Sequence, residues 1–251
     1  MAVEDGLVSD PGGLPLISEG RAGRLIAVGD IHGCSIALRT LIDAIAPNPD
    51  DTIVVLGDVI DYGPDTKGTI QQLRDLSGRC RLILLMGNHE EMLFNAFGGR
   101  DDRRYWESCG GTPTRRSYPE CGDDRLIDPE HLDFLQKNCR NYFETDRFIF
   151  LHANYYPNRP MHEQLGHTLR WEFVDPHRMA KHYSGKTVVV GHTTRNDGDV
   201  LDLGFLVMID TAVAMGGWLT ALEVNSGEIV QTNQQGEVRR SRRSRHSTAT
   251  W

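Results

Sequence analysis

The stretch DTIVVLGDVIDYGP, residues 51–64, decides the reading of the chain. Ile53–Leu56 is a continuous apolar run, the signature of a strand buried on both faces of a sheet. It stops abruptly on Gly57-Asp58, and Asp61 and Tyr62 follow at once. An unpaired carboxylate at the end of a buried strand costs several kcal/mol unless charge or hydrogen bonds compensate it. The rest of the chain must therefore bring something to meet Asp58.

Four further runs have the same form: RLIAVGD (24–30), RLILLMGN (81–88), RFIFLHAN (147–154) and KTVVVGHT (186–193). They deliver Asp30 and then His32, Asn88 with His89, His152, and His192. Helical patterns at 35–46 and 66–76 intervene, and strand alternating with helix predicts a layered α/β domain. Residues 203–212 read as one more strand, and 218–225 with 228–233 as a hairpin around Ser226-Gly227. Residues 98–146 break the rhythm and predict a helical insertion or cap, with a helix at PEHLDFLQKN (129–138).

The domain body is assigned to residues 23–237. Residues 1–22 are rich in Gly and Pro and are expected to be flexible. The segment 238–251, VRRSRRSRHSTATW, has five arginines and no apolar run, so it is expected to be a disordered basic tail. It serves either as a docking arm for acidic partners or as a solvated terminus.

Composition narrows the class. A length of 251 residues suits one fairly large domain, and a net charge of −8 argues against nucleic acid as a partner. No apolar run reaches membrane-spanning length, and the N-terminal residues carry acids where a leader peptide has basic residues. The five cysteines form no CxxC pair, which reads as reduced thiols and a cytoplasmic setting.

In open α/β sheets, ligands bind at the carboxyl ends of the strands. Taken singly, Asp58 could be a turn residue and His152 a satisfied core histidine. Together, Asp30, His32, Asp58, Asn88, His152 and His192 make a mixed oxygen and nitrogen donor set without thiolate. Such a set suits manganese first, with iron or zinc as alternatives. Six ligands exceed the needs of one ion, so two divalent ions are expected, with Asp58 as the natural bridge.

GDIHG, GDVIDYG, GNHE, LHAN and GHT, in this order, resemble the signature of the calcineurin-like metallophosphoesterases, and within them the phosphoprotein phosphatase branch. The resemblance covers roughly residues 24–232. It implies an α/β/β/α sandwich of mixed central sheets with flanking helices. It places Asp30, His32 and Asp58 on one metal and Asp58, Asn88, His152 and His192 on the other. It pairs Asp61 with His89 as a catalytic dyad in which a protonated His89 donates to the leaving oxygen. The implied chemistry is direct in-line hydrolysis of a phosphoester by a metal-bridging hydroxide.

One residue departs from the pattern. Tyr62 stands where the branch has an arginine that grips the substrate phosphate, and it either donates one hydrogen bond or packs beside the substrate. Asn88 is also expected at the phosphate. Arg170 is the expected replacement for the missing arginine, and Arg195 a weaker one. The first expectation for the substrate is a serine/threonine phosphoprotein, with tyrosine also possible. A symmetrical dinucleoside tetraphosphate, or another phosphorylated small molecule, is the alternative. A non-catalytic scaffold is the third reading, opposed by the intact ligand set.

Overall fold

The structure, a computed structural model, describes residues 23–122 and 125–243. Along the chain the strands begin with β1 (Leu25–Val28), β2 (Thr52–Val55), β3 (Arg81–Leu85), β4 (Cys139–Arg140), β5 (Tyr142–Glu144) and β6 (Phe148–Leu151). They continue with β7 (Thr187–Val190), β8 (Leu201–Asp202), β9 (Leu206–Met208), β10 (Asp210–Thr211), β11 (Trp218–Glu223), β12 (Glu228–Thr232) and β13 (Val238–Arg242). The helices are α1 (Ser35–Ile45), α2 (Thr66–Ser77), α3 (Asn88–Asn95), α4 (Arg100–Trp106), α5 (Thr112–Arg116), α6 (Pro129–Asn138) and α7 (Gly166–Trp171).

The strands form two sheets. One has the order β13-β12-β11-β1-β2-β3-β4, with β10 also paired to β11; the other runs β5-β6-β7-β9-β8. Both are mixed: β1 to β4 are parallel while β11 joins β1 antiparallel, and β6, β7 and β9 are parallel between antiparallel edges.

Side-chain alternation along the strands deals the apolar residues into layers. Ile26, Val28, Ile53 and Val55 face α1 and α2 in one core, with Leu38, Leu41, Ile70 and Leu73. Ala27, Val54 and Leu56 face the other way, meeting Phe148, Phe150, Val189 and Val207 between the sheets. Ile149, Leu151, Val188 and Val190 then pack outward against Leu169 of α7. The result is helix, sheet, sheet, helix, the expected sandwich. No described helix is long and apolar enough to cross a membrane.

Local chemistry sets the helix starts. Asp65 caps α2 by accepting from the Gly68 amide at 2.9 Å, and Asp128 caps α6 ahead of Pro129.

Three sequence expectations need correcting. The run 203–212 is not one strand. Leu206–Met208 pairs with β7, and after Ile209 the chain crosses to pair Asp210–Thr211 with β11 in the first sheet. The insertion is helical only to Asn138, because Cys139–Arg140 adds to β3 and Tyr142–Glu144 to β6. The basic segment from Val238 is a paired strand as far as Arg242, and Arg239, Arg240 and Arg243 meet acids or a ring on neighbouring elements. Arg240 pairs with Glu228 at 2.7 Å, Arg243 donates to Asp202 at 2.9 Å, and Arg239 lies over Trp218 at 4.4 Å. The expectations for residues 1–22 and 244–251 lie outside the described residues.

Asp51 fixes the entry to the first sheet. Its fully buried carboxylate accepts from the Arg24 amide at 2.8 Å and the Arg24 guanidinium at 2.6 Å, and from the Asn48 amide at 2.9 Å. Burial raises its pKa, but the Arg24 and Asn48 bonds more than offset this and hold it below the usual value. A depressed folded pKa contributes stability that is present above the unfolded value, near 4, and is lost as pH falls through the folded one. Asp51→Asn should therefore cost about 2 kcal/mol at neutral pH, read from urea midpoints. The gap from wild type should shrink below about pH 4; a gap unchanged in acid would contradict this account of Asp51.

Candidate active site

The ends of β1, β2, β3 and β7 and the start of β10 line one cavity of about 240 Å³, and the end of β6 lies behind it. Asp30 follows β1, Asp58 follows β2, Asn88 and His89 open α3 after β3, His152 follows β6, His192 follows β7, and Asp210 opens β10. Asp30, Asp58, His89 and Asp210 are nearly or wholly buried. The structure thus brings together every residue expected to hold metal.

Each loop turns where a β-carbon would collide. A β-carbon on Gly87 would lie 2.0 Å from Asp58 Oδ1, and one on Gly191 would lie 2.0 Å from Asp30 Oδ1. Glycine is needed because the neighbouring carboxylate occupies that space. The turns also place Asp58 at φ 47°, His32 at 49° and His192 at 58°, left-handed conformations that L residues adopt at a cost. Glu90 holds the turn after β2 together. Its carboxylate accepts from the amides of Asp58 at 2.9 Å, Val59 at 2.8 Å and Gly87 at 3.0 Å.

Backbone carbonyls select the imidazole tautomers. His152 Nδ1 donates to Leu56 O at 2.9 Å, His32 Nδ1 to Ile60 O at 2.9 Å, and His192 Nε2 to Trp171 O at 3.1 Å. Each ring keeps its other nitrogen as a bare acceptor. Those acceptors meet. His152 Nε2 lies 3.2 Å from His192 Nδ1, 3.1 Å from Asn88 Oδ1 and 3.4 Å from Asp58 Oδ2. Asp58 Oδ2 is also 3.7 Å from His32 Nε2. Asp30 Oδ1 is buried with no hydrogen-bond partner.

The electrostatics agree. Burial, reinforced by neighbouring carboxylates, pushes Asp30 and Asp58 well above the usual carboxylate range. Burial pushes His152 well below the usual histidine value, and His32 and His192 down to about 4. Imidazole lone pairs converge here with carboxyl groups that burial makes costly to ionise, an arrangement that cations suit. Asp58 belongs to two sets that could hold an ion, with His32 and His89 on one side and His152 and His192 on the other.

Asp61 and His89 form the expected pair, with His89 Nδ1 donating to Asp61 Oδ2 at 2.8 Å. The insertion holds the acid: Trp106 Nε1 donates to Oδ2 at 2.9 Å and Thr114 Oγ1 to Oδ1 at 2.7 Å. Burial pushes Asp61 up to about 7 and His89 down to about 4. Burial therefore opposes the protonated His89 that the resemblance implies, and the pair is left sharing one proton.

Arg170 does not occupy the place expected of it. It is not among the residues lining the cavity, and its guanidinium donates to Glu91 Oε1 at 2.8 Å and Asn141 Oδ1 at 2.7 Å. Arg195 pairs with Asp197 instead. Tyr62 does line the cavity, its ring edge-on to His32 and to His89 at 5.0 Å each. Sequence reading missed Asp210, which accepts from Thr194 Oγ1 at 2.7 Å, and Phe173, which stacks on His192 at 4.7 Å. Both fall outside the apolar-run-then-ligand pattern. The acid in MIDTA was legible as a strand-end residue only once the crossing at Ile209 was known.

Two sheets between helices, with acids and imidazoles gathered at their carboxyl ends, define a metallophosphoesterase sandwich. The chain belongs to the calcineurin-like phosphoesterase family, whose model matches residues 23–200. It is 36% identical over 73 residues to the symmetrical bis(5'-nucleosyl)-tetraphosphatase of Pectobacterium carotovorum, covering 29% of this chain and 25% of that protein. It is 40% identical over 67 residues to the Janthinobacterium enzyme of that name, covering 26% of this chain and 23% of that one. The match thus spans about a quarter of the length of these relatives. In fold, the chain resembles a proposed diadenosine tetraphosphatase at TM-score 0.61 and 21% identity, over 90% of this chain and 96% of that one. It also resembles a Saccharomyces cerevisiae serine/threonine phosphatase at TM-score 0.54 and 15% identity, over 91% and 82%.

Gly87→Ala tests the packing of the site. The new methyl must displace the Asp58 carboxylate, so phosphoester hydrolysis should fall about 100-fold or more with the circular dichroism spectrum unchanged. Gly78→Ala, whose β-carbon meets nothing nearer than 3.5 Å, serves as control. Equal activities of the two variants would refute the steric argument.

Proposed function

We propose that the chain is a metal-dependent hydrolase of phosphorus–oxygen linkages. Asp30, His32 and Asp58 would hold one divalent ion, and Asp58, Asn88, His152 and His192 a second. The observation that carries this reading is the position of Asp58, whose carboxylate lies within reach of both imidazole sets. When bound, such ions supply positive charge opposite the substrate phosphate and lower the pKa of a coordinated water.

The protein's own groups do the rest. His89 stands beside His32 and Asp58 with Nδ1 held by Asp61, so its free nitrogen is oriented toward the departing oxygen and would pass it a proton once the pair has taken up a second one. Asp61 cannot turn away, because Trp106 and Thr114 hold both of its oxygens. Tyr62, Phe173 and Met215 form an exposed wall that can cover the organic part of a substrate.

The substrate best supported is a dinucleoside polyphosphate, cleaved symmetrically. This reverses the order expected from sequence alone, for two reasons. The matched curated relatives carry that name, and the arginine expected to grip a protein phosphomonoester is bound to Glu91. A serine/threonine phosphatase stands second, favoured by the Asp61–His89 pair. With manganese-loaded protein, diadenosine tetraphosphate should yield ADP faster than a phosphoserine peptide yields phosphate. The reverse order would restore the phosphatase reading. Asp58→Asn should lose most of its bound metal by elemental analysis while remaining folded, and full retention would sink the shared-ligand assignment.

A further inference from the structure

Among the described residues lining the cavity, none is lysine or arginine, whereas Asp30, Asp58 and Asp210 all face it. The arginines nearest in sequence to the site are committed elsewhere, Arg170 to Glu91 and Arg195 to Asp197. Tyr62 is fixed in place: its amide donates to Gly110 O at 3.0 Å, and a β-carbon on Gly110 would lie 2.7 Å from its ring. The side chain presents to the cavity a ring and one neutral hydroxyl.

A terminal phosphomonoester is a dianion spread over three outer oxygens, and it is best gripped by a charged bidentate fork. Nothing in this lining supplies one. A phosphodiester, or an internal phosphate of an anhydride chain, carries one negative charge on two outer oxygens. Its fourth substituent is a further organic or phosphoryl group, and the adjoining wall has room for it. Phe173 and Met215 are each 70% exposed and Tyr62 is 47% exposed.

We infer that the site acts on phosphorus bearing a single negative charge and discriminates against terminal phosphomonoesters, and that Tyr62 sets this preference. Water adds its oxygen to phosphorus while the bond to the bridging oxygen breaks. One water proton ends on that bridging oxygen, and the other is released as the new terminal phosphate ionises. The inference rests on the phosphoester-hydrolase reading and narrows it to a substrate class.

The test compares bis(p-nitrophenyl) phosphate with p-nitrophenyl phosphate on the manganese-loaded full chain, for wild type and Tyr62→Arg. Wild type should show the higher kcat/KM on the diester. Tyr62→Arg should raise kcat/KM on the monoester about 10- to 100-fold, the span of one charge-assisted hydrogen-bonded contact, and should not raise it on the diester. Calorimetric binding of inorganic phosphate should tighten about tenfold in the variant. A wild-type preference for the monoester, or an equal gain on both esters, overturns the inference while leaving the hydrolase reading standing. Failure to turn over either ester despite bound manganese defeats the hydrolase reading itself. Should Tyr62→Arg fail to fold, the wild-type ratio decides alone.

Discussion

The site is organised around acceptors that have been forced together. Asp58 Oδ2, His192 Nδ1 and Asn88 Oδ1 each lie within 3.4 Å of His152 Nε2, so acceptor atoms crowd around one point. Such a cluster is repulsive in a dry interior unless positive charge enters it. Much of the surrounding architecture makes sense as the means of holding it. The imidazoles are turned inward by bonds from their far nitrogens to Leu56, Trp171 and Ile60 carbonyls. The carboxylates fill the space that β-carbons on Gly87 and Gly191 would take. Left-handed backbone at Asp58, His32 and His192 costs about 1–3 kcal/mol each, and the Glu90 bonds to three amides help to offset it.

The layers contribute unequally. The first sheet supplies Asp30, Asp58, Asn88 and Asp210, and the second supplies His152 and His192. Side-chain packing between the sheets therefore sets the distance between acid and imidazole, and Phe148, Phe150, Val54 and Leu56 are site determinants at one remove. The insertion has a separate task. Trp106 and Thr114 reach Asp61 from α4 and α5, so the element that interrupts the sandwich also fixes the proton-sharing pair.

Much of this was legible in the sequence because its signals are local. A buried parallel strand must be apolar throughout, so RLIAVGD or KTVVVGHT announces both the strand and the polar residue that ends it. The helices Ser35–Ile45 and Thr66–Ser77 follow the same logic. What stayed hidden depends on partners distant in the chain. No periodicity tells that Ile209 carries the chain from one sheet to the other. A segment as arginine-rich as 238–243 reads as solvated until Glu228, Asp202 and Trp218 are seen beside it. Glu90, Trp106 and Thr114 act through hydrogen bonds spanning up to 53 positions, and such bonds leave no spacing to detect. Arg170 misled for the same reason, since its commitment to Glu91 joins residues 79 positions apart.

The charge of the cavity ties substrate binding to metal binding. With carboxylates on the floor and no cationic side chain in the described lining, the protein alone repels an anion. Attraction for a phosphate must then be conferred by whatever cations the acceptor cluster holds, and by linkage an anionic substrate must in turn favour their retention. An arginine in place of Tyr62 would uncouple the two in part, giving the phosphate a partner independent of the ions. With the tyrosine in place, the proposed reading ties recognition of the phosphate to occupancy of the acceptor cluster.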